Sequence, residues 1–182
     1  KSRILDKINL MDASFITTCP SALDFLPNDK RSYYIPNPSD NSFETLNNFK
    51  KSCSVDVFFA LSHGVHRGKL KSGKEDDRIN FLKKLQNLTS DIKFDLYGIN
   101  NIQPIWADHY FKTISNAKMG LNLSRGETIK YYSSDRITQI VGNGLVCLID
   151  EKTQYKDFFN DKEMVFYKNI SDLAEKIMKL SR

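Results

Sequence analysis

Tryptophan occurs once in these 182 residues, histidine and cysteine three times each, and glycine (8) and proline (5) are sparse. So little Gly and Pro excludes collagen-like repeats and low-complexity disorder. The cysteines Cys19, Cys53 and Cys147 are odd in number and far apart, with no CxxC pair and no histidine at finger spacing. Neither a disulfide scaffold nor a structural zinc is expected. Cys147 stands in the apolar run Leu145-Val146-Cys147-Leu148-Ile149, where a thiol acts as a small buried hydrophobe. All three read as reduced, in a cytoplasmic setting. No apolar stretch reaches the ~18 residues that span a bilayer, and the opening Lys1 to Lys7 lacks a signal-peptide core. Also missing are GxGxxG, the GxxxxGK phosphate loop and the GxSxG elbow, which leaves kinase, simple dehydrogenase and serine-hydrolase chemistry without an anchor.

What is present is a globular composition, 40% hydrophobic and 27% charged. A chain of this size buries about 70% of its unfolded surface, enough for a core without staples. Net charge is +5, from 27 Lys+Arg against 22 Asp+Glu, spread along the chain rather than gathered in an arm. That sign favours anionic partners, phosphate among them. The densest basic stretch, His63 to Lys74, runs straight into Glu75-Asp76-Asp77 and reads as a solvated loop.

From residue 55 onward, short β-branched or aromatic runs alternate with amphipathic ones. Strands are expected at 55–61, 93–98, 119–124, 145–149 and 164–167; helices at 77–88, 106–117, from Ser134 or Asp135, a short one closing at Phe158-Phe159, and from Ser171. This rhythm defines an α/β, doubly wound, mostly parallel sheet. Residues 1–54 follow it less cleanly, with strands at 13–18 and 32–35 and a short helix at 21–26. The division expected is 1–31 as the tail of a preceding domain or docking segment and 32–182 as the α/β domain.

In such a sheet, ligands sit where strand C-termini meet helix N-termini, whose free N–H groups favour anions. One loop there offers Gly64 for close backbone approach and Arg67 as a charged donor, with His63 as a weak candidate acid, base or phosphate donor. The other is richer: Arg125-Gly126-Glu127, then Ser133-Ser134-Asp135-Arg136 and Gln139, then Gly142-Asn143-Gly144. It reads either as a diphosphate cradle of guanidinium groups, hydroxyls and a helix start, or as a capped helix with surface Arg–Asp pairs. Three dispersed histidines do not make a metal site, and none is expected.

The block from Arg136 through Gly144 to Asp150, with Phe158-Phe159, Glu163 and Asp172-Leu173, resembles the C-terminal half of GT-B glycosyltransferases, of the group-1-like and spore-maturation type. Upstream, Tyr34-Ile35-Pro36-Asn37-Pro38 resembles the segment by which such enzymes enter their second domain. The resemblance implies a Rossmann-like donor-binding domain that takes a nucleotide sugar as substrate, without metal or other cofactor. It also implies a glycan or lipid-linked acceptor in cell-surface polysaccharide synthesis, and a cytoplasmic location with peripheral contact at the inner face of the membrane. Position by position, Arg136 matches the motif arginine, Gly144 the turn glycine, and Gln139 stands where a ribose-binding glutamate is expected; an amide there bonds hydroxyls without charge. Gly64, Arg67, Arg125, Ser133, Ser134 and Asp135 complete the implied donor site. The alternative is a non-catalytic nucleic-acid-binding or regulatory α/β domain, suggested by a pI near 9.0 and by Tyr33, Tyr34, Tyr131 and Tyr132 near basic residues. No basic stripe accompanies those tyrosines, so no nucleic acid is expected.

Overall fold

The computed structural model describes residues 2–62, 76–132 and 134–182. Its centre is a five-stranded, all-parallel sheet made of β3 (Val55–Ala60), β4 (Phe94–Tyr97), β5 (Ala117–Asn122), β6 (Val146–Asp150) and β7 (Val165–Tyr167), in the order β4-β3-β5-β6-β7. Strand β3 carries Val57-Phe58-Phe59, buried on both faces, as a parallel sheet covered on both sides requires. Val57, Phe59 and Leu61 pack with Leu82 and Leu85 of α2 (Asp77–Leu88) and Leu173 and Ile177 of α5 (Ile170–Ser181). Phe58 packs with Ile114 of α3 (Ala107–Ile114) and Ile137 and Ile140 of α4 (Asp135–Gly142) on the opposite face. Fully buried leucines such as Leu82 and Leu85 each contribute about 1.5–3 kcal/mol. The fold is the doubly wound, Rossmann-like α/β class expected from the alternation of patterns.

Ahead of this sheet, α1 (Ser2–Asn9) leads to β1 (Ala13–Ile16) and β2 (Arg31–Tyr34), which pair in parallel from Ala13↔Arg31 to Ile16↔Tyr34. Two short strands are marginal alone. Here they are tied down: the Cys19 N–H donates to Lys130 O (3.0 Å), and Tyr34 and Tyr155 share a hydroxyl hydrogen bond of 3.1 Å. The connecting segment is pinned by Asn48, whose amide donates to both Ile114 O and Ala117 O at 2.8 Å, under the start of β5.

Several local expectations fail for identifiable reasons. The helix expected at 21–26 is a single 3-10 turn, Pro20–Ala22, because Pro27 disfavours a helical Leu26. The helix expected at 106–117 stops at Ile114, and Ala117 already pairs with Val55 as β5. Asn116 makes that switch, accepting from the Ser54 N–H (3.0 Å) and donating to Ser54 Oγ (2.8 Å). The short helix before Phe158 is two 3-10 turns, Glu151–Thr153 and Tyr155–Asp157. The last helix starts one residue earlier than expected, since Asn169 caps it by accepting from the N–H groups of Ser171 and Asp172. Helix α1 was not anticipated.

Candidate functional site

The chain leaves β3 through α2 to β4 on one side, then returns through α3 to β5 on the other, so the topological switch point lies between β3 and β5. Ligands of open α/β sheets bind in the crevice above such a point. Arg136, in the first turn of α4, occupies it: its guanidinium donates to Leu123 O (3.3 Å), just past β5, and to Ala60 O (3.4 Å), the last residue of β3. It also lies 4.9 Å from the Phe59 ring centroid. Among the described residues no carboxylate is within ion-pair distance of it. Burial, and then the charge of nearby Arg78, hold its pKa below the ordinary arginine value. Even so the group stays protonated at neutral pH.

Beside it, Ser134 is the residue preceding α4, yet its hydroxyl accepts no backbone N–H. That Oγ is buried without a hydrogen-bond partner among the described residues. A buried hydroxyl and a guanidinium without a carboxylate partner among the described residues therefore stand together at one helix start, where donors favour negative charge. Arg78 is arranged differently, with its side chain paired to Asp76 at 2.6 Å. Asp76 also accepts the Arg78 N–H (3.1 Å) as the cap of α2, so this pair fixes the neighbouring helix start.

Three adjoining hollows run along this edge. The middle one, about 300 Å³, is lined by Arg78, Arg125, Arg136, Ser134 and Tyr132. The second, about 400 Å³, shares Ser134 and Arg136 with it and is walled by Ile105, Trp106, Tyr110 and Phe111, with Gln139 and Asp135 at its rim. Ala107 in this wall holds a left-handed φ of 50°, a strained conformation for a residue with a Cβ. Burial pushes the Tyr110 phenol up to about 12, against the pull of Arg136, so it remains a hydrogen-bond donor. The third hollow, about 520 Å³, shares Arg78, Leu123, Ser124 and Glu127 with the middle one and opens over the ends of β5, β6 and β7.

Of the residues singled out in the sequence, Arg125, Ser134, Asp135, Arg136 and Gln139 line these hollows, and Arg125 and Arg136 share the middle one. His63, Gly64, Arg67 and Ser133 lie outside the described residues. Gly144 is not with the others. It follows the C-terminal end of α4, on the edge where β6 begins, and its φ of 77° serves the turn there beside Asn48 and Phe49. Among the described residues Arg136 makes no surface Arg–Asp pair. Sequence reasoning passed over Trp106, Phe111 and Arg78. The lone tryptophan, 56% exposed and directly ahead of a helix that follows a strand, was the available signal.

Cys19, Cys53 and Cys147 are all buried free thiols, and burial pushes Cys147 up to about 12, so it offers no nucleophile. Among the described residues no three His, Cys, Asp or Glu side chains converge as metal ligands do, and no helix is long and apolar enough to cross a membrane.

Fold and edge together define a Rossmann-like domain with a cationic, hydroxyl-bearing edge at its switch point. Residues 78–182 match the family model described as glycosyl transferase-like, a span of more than half the chain. The chain belongs to the glycosyl transferase-like family, which associates it with glycosyl transfer in general terms. No curated protein matches it.

Proposed function

We propose that this chain is the donor-binding half of a GT-B glycosyltransferase and that its switch-point edge holds a nucleotide sugar. The observation that carries the reading is Arg136, desolvated between the ends of β3 and β5 with no carboxylate partner among the described residues, beside the unsatisfied Ser134 hydroxyl. The phosphate groups occupy the middle hollow, where Arg125, Arg136 and the start of α4 face them. The nucleoside enters the aromatic-walled hollow, its ribose within reach of Gln139 and its base against Trp106.

Transfer breaks the bond between the anomeric carbon and a phosphate oxygen, and negative charge grows on the departing nucleotide. Guanidinium groups and a helix start fixed in advance stabilise that charge with little reorganisation, without a metal ion in this reading. The acceptor is a glycan or lipid-linked saccharide of cell-surface polysaccharide synthesis, met at the cytoplasmic membrane face.

Thermal shift of the purified chain with UDP, GDP, CDP, CMP and dTDP tests this. A ligand at a hundredfold over its Kd adds about 2.7 kcal/mol of stability, readily seen as a rise in Tm. No shift with any nucleotide, or an undiminished shift in Arg136→Ala, would overturn the reading.

A further inference from the structure

The largest hollow on this edge lies past the arginines, and its chemistry differs from theirs. Its cations Arg78, Lys84 and Lys152 are matched by the carboxylates of Asp77, Glu127 and Asp150. Arg78 is moreover already paired with Asp76. No net positive field is left to draw a second anion. The floor is aromatic, with the Phe81 and Tyr167 ring centroids 6.4 Å apart.

Asn122, the last residue of β5, is 4% exposed and lines this hollow. Its side-chain amide has no hydrogen-bond partner among the described residues. An amide that lines a hollow with its donors and its acceptor uncommitted is available to a ligand that offers both kinds of group. Asp150 presents its carboxylate already oriented, accepting from Thr128 Oγ1 (3.0 Å) and the Lys152 N–H (2.9 Å) with lone pairs to spare. Asp77 accepts the Gly126 N–H (3.2 Å) and so ties the dividing loop to α2. A charge-balanced cup with an unpaired amide, a held carboxylate and an aromatic floor recognises hydroxyl groups on a compact neutral ring.

We infer that this hollow binds the glycosyl group of the donor and selects a neutral, hydroxyl-rich sugar over one bearing a carboxylate, with Asn122 as its specificity-determining residue. The inference rests on the nucleotide-sugar reading above, because the hollow adjoins the phosphate receptor through Arg78 and Ser124.

Calorimetric titration separates the two. On the parent chain, a nucleoside diphosphate, its neutral hexose ester and its uronic-acid ester are compared. The hexose ester is expected to bind about tenfold tighter than the diphosphate alone, and the uronate ester no tighter than the diphosphate. Asn122→Asp and, on the exposed rim, Lys84→Ala are expected to erase that tenfold gain while leaving the diphosphate affinity unchanged; the rim variant reads the hollow even if the buried one misfolds. Equal binding of diphosphate and hexose ester, a preference for the uronate, or a gain that survives both variants would overturn this inference alone. Failure of every nucleotide to bind the parent chain overturns the underlying reading and this one with it.

Discussion

An N-cap serine ordinarily contributes about 1 kcal/mol by accepting a backbone N–H. Ser134 makes no such bond, and its buried Oγ is without a partner among the described residues. Ser134→Ala is therefore expected to leave the urea midpoint nearly unchanged or slightly raised, since removing an unsatisfied hydroxyl is not costly. Nucleoside diphosphate affinity is expected to fall about tenfold in the same variant, and a large loss of stability with unchanged binding would mark the serine as purely structural. Arg136→Lys tests the fork itself. An ammonium cannot lie flat on Phe59 while donating to both Ala60 O and Leu123 O, so titration is expected to show a loss of about 10–100-fold in affinity. At this scale Arg125, Ser134 and Arg136 were legible because charged and hydroxyl residues crowd the loop after one strand. Trp106 and Asn122 were not. Each takes its meaning from a neighbour far away in the chain, and Asn122 reads in sequence as an ordinary strand end.

At the level of elements, the packing of α4 on the sheet determines where Arg136 points. Gly120 of β5 lets that helix approach: a Cβ there would meet Ile140 Cδ1 at 2.7 Å and its Cγ1 more closely still. Gly120→Val is expected to destabilise the chain by about 1–3 kcal/mol, measured by urea unfolding, and to weaken nucleotide binding by tilting α4. The strands could be read as short continuous β-branched and aromatic runs, because a sheet covered on both faces buries successive residues, and the helices α2, α4 and α5 from apolar residues recurring every 3.6 positions. Their ends could not. Ala117 continues the apolar stripe of α3 in sequence, but the Asn116–Ser54 contacts, between residues 62 positions apart, turn it into the first residue of β5. Helix α1 escaped notice because its opening charges obscure a pattern in which Ile8 alone is deeply buried.

Across the whole molecule, stability at low pH depends on carboxylates that folding pairs with lysines. Burial pushes Asp56 up, but the Lys118 ammonium at 2.8 Å and the Lys93 N–H at 3.0 Å outweigh it, and its pKa lies below the ordinary carboxylate value. The Lys176 ammonium, chiefly, lowers Asp172 as well. A depressed folded-state pKa gives stability that is complete above the unfolded value, near 4, and is lost as pH falls through the folded one. Urea midpoints followed from pH 6 to pH 3 are expected to drop in the parent and to drop less in Asp56→Asn. The sheet order has a practical consequence for any attempt to trim the chain. The recognisable family stretch begins at residue 78, whereas the second strand of the ladder, between β4 and β5, lies upstream at Val55–Ala60. A recombinant fragment cut to the family boundary would strand β4 and open the interior to water; a self-sufficient one has to start before Asn48.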